Sequence, residues 1–193
     1  MKRGSLSIFA IFVAATAVFA HDLFLKLDSY FLQPNSRATV RLMNGTFESS
    51  EGVVARDRLR YLTLISPDHL TSVSDISAWR AEGTITVMDI QTRSPGTYIV
   101  GASTRPREIA LKAADFNDYL KHDGLPDTLA ARTRDGELGK DIRERYSKHV
   151  RAIFQVGDKL TDDYQKVLDY PVELIARQNP YSLKVGDTIP VLC

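Results

Sequence analysis

Cysteine is all but missing from this chain. Among 193 residues there is one, Cys193, at the last position. No intrachain disulfide can form, and a thiolate metal cluster is excluded, so stability must come from an apolar core. Long apolar runs are missing too. The one hydrophobic segment, Leu6 to Val18, is shorter than the roughly 20 residues a membrane helix needs. An excess of one charge is likewise absent: 25 Lys and Arg face 24 Asp and Glu, a formal net charge of +1. Such a balance leaves no electrostatic footprint for nucleic acid. Gly-x-Ser-x-Gly, a phosphate loop and His-Glu-x-x-His are all missing, and no cysteine is placed to act as a nucleophile. These absences argue against a classical hydrolase, and more broadly against an enzyme.

What is present begins at the N-terminus. Lys2 and Arg3 precede the apolar run, and Val18-Phe19-Ala20 ends it just before His21-Asp22. This is the pattern of a signal peptide spanning 1–20, with cleavage after Ala20. The expectation is export across the inner membrane, into the periplasm of a Gram-negative cell, with no transmembrane segment in the mature chain. Cleavage there makes His21 the first residue, so its α-amino group and its ring can chelate one metal ion together.

Downstream, the pattern has period two. Leu23, Leu25 and Leu27 alternate with Asp22, Phe24 and Lys26, and Ala38, Val40 and Leu42 repeat the pattern up to Asn44-Gly45, a turn signal. The runs 58–65, 84–90 and 97–102 alternate as well, separated by Ser66-Pro67-Asp68 and Ser94-Pro95-Gly96. Short strands between Pro, Gly and Asn turns predict an antiparallel, immunoglobulin-like β-sandwich. A helical insertion is expected at about 113–149. Its first piece carries Phe116, Tyr119 and Leu120 on one face, a second piece covers 127–134, and a third covers about 140–148. The sandwich domain is thus drawn as 21–178, with Pro171 to Ala176 as its last strand. Residues 179–193 read as a linker and the first strand of an incomplete second β-module.

The chain has four histidines: His21, His69, His122 and His149. Imidazole and amine nitrogens suit Cu, Ni and Zn, and His21 with His149 or His122 forms the candidate metal set. Each has a plainer reading. His69 sits in a turn, His122 at a helix end where a cation favours the dipole, and His149 at a junction beside Arg145 and Lys148. Asp22 is either an oxygen ligand or an exposed strand residue. Arg105, Arg107, Arg143 and Arg145, with Glu108 and Tyr146, either line a site for an anionic group or tie the insertion down through ion pairs. Trp79 reads as a core or edge anchor.

Several phrases in order resemble one family: His21-Asp22-Leu23-Phe24-Leu25, Asn44-Gly45-Thr46-Phe47, Gly96-Thr97-Tyr98-Ile99-Val100, Thr104-Arg105-Pro106-Arg107, Phe116-Asn117-Asp118-Tyr119-Leu120, Arg145-Tyr146-Ser147-Lys148-His149 and Asn179-Pro180-Tyr181. The chain resembles the exported bacterial family catalogued as "domain of unknown function 4198", sometimes labelled NikM-like and linked to nickel uptake. The resemblance implies β-sandwich modules with a helical insertion, export, a mature chain opening on histidine, and a tie to metal ions. Three departures stand out. The membrane spans of a NikM transporter component have no counterpart here, and His21 stands first in the mature chain, not second or third. Family members also continue past Gly186-Asp187-Thr188 into a second β-module.

Two functional expectations follow, from different classes. One is a periplasmic binding protein that handles a Cu or Ni ion, or a small ligand, without chemistry of its own. The other is a structural or interaction module that contacts the cell envelope or a membrane transporter and takes no metal. Copper-dependent oxidation at a histidine brace is a third.

Overall fold

Leu23, Leu25 and Leu27 all point inward from the first strand, β1 (Asp22–Leu27), as the alternation requires. The structure is a computed structural model that describes residues 22–67, 70–73 as backbone, and 79–193. The leader 1–20, His21 and His69 therefore lie outside the described residues. The chain divides into two compact units, one formed by 112–140 and the other by 22–111 with 141–193.

In the larger unit, β1 pairs antiparallel with β3 (Arg37–Gly45), Leu25 standing opposite Leu42. β3 pairs in turn with β7 (Ile85–Gln91), and β7 with β6 (Trp79–Glu82), giving the four-stranded order β1-β3-β7-β6. A second sheet has the order β2-β11-β8-β4-β5, built from β2 (Phe31–Leu32), β4 (Leu59–Ile65), β5 (Leu70–Val73), β8 (Gly96–Thr104) and β11 (His149–Val156). Their facing sides enclose one core that contains Leu23, Leu42, Trp79, Tyr98, Val100 and Phe154. The protein is a mainly β, antiparallel sandwich, and Trp79 is a core residue with no exposed surface. Among the described residues no helix is long and apolar enough to cross a membrane.

Several local expectations are corrected. Residues 140–148 hold no third helix. Ile142–Tyr146 form β10, which pairs antiparallel with β9 (Arg107–Leu111), Arg145 opposite Glu108. Ile142, Glu144 and Tyr146 are half-buried and alternate with exposed arginines, so a neighbouring strand overrides the helix-compatible charges. Asn44-Gly45 is not the turn itself. β3 runs through it, and the reversal comes at Thr46, whose N–H donates to the Ser49 carbonyl at 2.8 Å. In β4 a bulge between Leu59 and Tyr61 shifts the phase. Leu59 and Leu62 therefore both reach the core while Tyr61 turns outward. Of the expected strand 171–176 only β12 (Ile175–Ala176) forms. It pairs with β13 (Val191–Leu192), which is all the strand that 183–192 provides.

All nine residues of β8 are buried. Its inner side chains Tyr98, Val100 and Ala102 belong to the core, while its outer row lies under the segment 157–183, which crosses the sheet as a strap. Asn179, read from sequence as linker, is buried there. Its Nδ2 donates to Thr97 Oγ1 at 2.8 Å and to the Thr161 carbonyl at 3.1 Å. Thr97 donates to Gln155 Oε1 at 2.9 Å. A Cβ at Gly101 would stand 2.5 Å from Leu168 Cδ1 and 2.8 Å from the Tyr170 hydroxyl, so glycine is what lets the strap lie flat.

The smaller unit contains α1 (Ala113–His122) and α2 (Pro126–Arg134), as the pattern predicts for its first two pieces. Arg132 organises it. This buried guanidinium donates to Asn117 Oδ1 at 3.0 Å and to the carbonyls of Glu137 and Lys140 at 2.7 and 2.9 Å, and lies 5.0 Å from the Phe116 ring centroid.

Candidate functional site

The edges of two strands set the site. β1 is the outermost strand of its sheet, and β11 is flanked by β2 only at Gln155 and Val156. Along these edges, in the larger unit, runs a groove of about 880 Å³. Leu23, Phe24 and Phe47 line it from the β1 side, Val150 and Ala152 from β11, and Val172 and Leu174 from the strap. Phe24 and Phe47 meet edge to face at 5.6 Å, and the Lys26 ammonium stands 4.5 Å from the Phe47 ring centroid. Val172 and Leu174 remain 61% and 62% exposed, which leaves an apolar wall open to solvent.

The polar part comes from alternate residues of β11. The Arg151 guanidinium sits 3.2 Å from the Glu173 carboxylate and donates to the Tyr164 carbonyl at 2.8 Å. Burial pushes its pKa down, opposed by the Glu173 charge. Glu173 also accepts the backbone N–H groups of Leu168 at 2.9 Å and Tyr170 at 3.1 Å. One carboxylate thereby shapes the strap loop and anchors it to the sheet. Arg151 Nε is buried without a hydrogen-bond partner among the described residues.

His149 opens β11 on the same row. Its Nδ1 is 2.9 Å from Ser103 Oγ and its Nε2 is 2.9 Å from Ser147 Oγ. The Tyr170 ring lies 5.8 Å away, tilted by 40°. Burial first, and then the nearby Arg60 charge, hold the ring's pKa below its ordinary value against an opposing pull from Glu173. A neutral imidazole offers one donor and one acceptor, and two hydroxyls satisfy both. Tyr170 donates to Thr63 Oγ1 at 3.3 Å, and burial pushes its phenol up.

The expected ligands fall in different parts of the chain. His149 lines the groove, His122 is exposed at the end of α1 in the smaller unit, and His21 lies outside the described residues. Among the described residues no group of three or more His, Cys, Asp or Glu is arranged to hold a metal ion. Arg151, Tyr170 and Glu173 were not singled out from the sequence. Glu173 lay in an apparent strand, where a carboxylate signals a solvated edge, and nothing local marks its partner.

A family model described as "Domain of unknown function (DUF4198)" matches residues 18–193. No curated protein matches the chain.

Proposed function

The chain belongs to the DUF4198 family, and on that premise we propose that it is an exported β-sandwich binding protein. Its ligand lies in the groove between the edges of β1 and β11. The observation that carries this reading is the groove itself: about 880 Å³ with open apolar walls above a polar row of His149, Arg151 and Glu173. Binding pockets combine mostly apolar lining with a few placed polar groups in this way. Such a groove suits an amphipathic ligand whose apolar part covers Val172 and Leu174. The leader-like segment that ends at Ala20 supports export.

The test uses N-phenyl-1-naphthylamine, a neutral apolar probe that fluoresces when sequestered. The wild-type chain is expected to bind it saturably, and Leu174→Arg to weaken binding about tenfold, corresponding to ~1.4 kcal/mol. No saturable binding, or equal binding by the variant, overturns the groove and favours an interaction module of the envelope or of a transporter.

A second reading concerns a Cu or Ni ion held by the amine and ring of His21. Asp22 opens β1, and its charge acts on Lys148, the residue before His149. The starts of β1 and β11 thus lie at one end of the sandwich, which supports His149 as the second ligand ahead of His122. In that reading His149 would give up its contact with a serine hydroxyl to hold the ion.

A further inference from the structure

At the end of the sandwich where β1 begins there is a second, smaller cleft of about 150 Å³. Arg58, Arg107 and Lys148 all line it, together with Asn44, Thr104 and Tyr146, and no carboxylate does. The sheet fixes these groups. Arg107 stands opposite Tyr146 across the β9–β10 ribbon. The backbone of Lys148 is locked to Thr104, its N–H donating to Thr104 Oγ1 at 2.8 Å and its carbonyl accepting the Thr104 N–H at 2.9 Å. Arg58 donates to the Arg105 carbonyl and stacks 5.6 Å from the Tyr146 ring, so its guanidinium has little freedom to swing into solvent.

No direct ion pair closes the cluster among the described residues, although the Asp22 charge acts on Lys148. Among the described residues the Lys148 ammonium has no ion-pair partner within 4 Å, and neither has Arg58 or Arg107. Three like charges around one small cleft repel one another and are retained here in a chain whose overall balance is close to neutral. Guanidinium forks and an ammonium are the groups that recognise tetrahedral oxyanions.

We propose that Arg58, Arg107 and Lys148 form a binding site for a single phosphate or sulfate group, distinct from the apolar groove. Its volume suits one tetrahedral oxyanion, and Tyr146 and Asn44 add hydrogen-bonding groups at its rim. Free inorganic anion and an anionic headgroup share this chemistry.

Calorimetric titration of inorganic phosphate, and separately of sulfate, into the mature protein tests it. One anion per chain is expected, with Lys148→Met and Arg107→Gln each weakening binding at least about tenfold. Lys148→Arg should retain it, and Arg134→Gln, in the smaller unit, should leave it unchanged. Sedimentation with phosphatidylglycerol vesicles, with and without competing phosphate, identifies the source. Competed vesicle binding assigns a headgroup, and phosphate binding without vesicle binding assigns the free anion. Absence of saturable phosphate binding, or binding equal in Lys148→Met and wild type, overturns the site.

Discussion

The Glu173 carboxylate lies 3.2 Å from the Arg151 guanidinium, with only 6% and 9% of the two side chains exposed. The pair joins the strap to the outer face of β11, and it lies in the wall of the groove. Breaking it strands a buried charge. Glu173→Leu should lower unfolding free energy by about 3–5 kcal/mol, since Leu168 and Tyr170 also lose their acceptor. Replacing both partners, as Arg151→Met with Glu173→Leu, should cost much less than either single change. Urea denaturation of the four proteins measures this, and additive losses would contradict the coupling.

His149 makes stability depend on pH. Its ring is held below the ordinary value, near 6.5 for an unperturbed histidine, so on acidification the unfolded chain takes up the proton first. The stabilising contribution is complete above about pH 6.5 and falls as the pH drops from there to the folded ring's own pKa. Urea midpoints at pH 7 and pH 5 should therefore differ, and His149→Gln should reduce the difference. An NMR titration that places the His149 ring above 6.5 would refute this.

Gly101 tests whether the strap lies as described. A valine there meets Leu168 and the Tyr170 hydroxyl at sub-contact distance, and should destabilise the fold by about 1–3 kcal/mol, as overpacking does. Limited proteolysis should then cut within 162–174 faster than in wild type. Unchanged cleavage and stability would show that the strap does not rest on β8.

The metal reading predicts tight, stoichiometric Cu(II) or Ni(II) binding by a chain that starts at His21. Adding one Met before His21 removes the free histidine amine and should abolish that binding, while His149→Gln should weaken it. Equal weak binding by all three proteins leaves the N-terminal chelate without support.

Much of the sandwich was legible beforehand because its signal is local. Leu23, Leu25 and Leu27, then Val40 and Leu42, alternate in sequence and all enter the core. Phe116, Tyr119 and Leu120 recur at helical spacing, and α1 forms over them. β10 was misread because Ile142-Arg143-Glu144-Arg145-Tyr146 is compatible with either state, and only the presence of Arg107–Leu111 alongside decides for a strand. The candidate site was least legible. His149 was visible as a residue type, but the two serines that fill its ring nitrogens come from β8 and from the turn before β11.

Composition and periodicity by themselves determined that no disulfide could brace the chain and that the core would be built from alternating strands. Those are properties of neighbours in sequence. Tertiary structure alone decided what covers the outer face of β8, which carboxylate meets Arg151 from 22 residues away, and which three cations share the cleft beside β1. A period of two says which way a side chain points, but not what stands opposite it, and ion pairs, grooves and charge clusters exist only once distant segments have met.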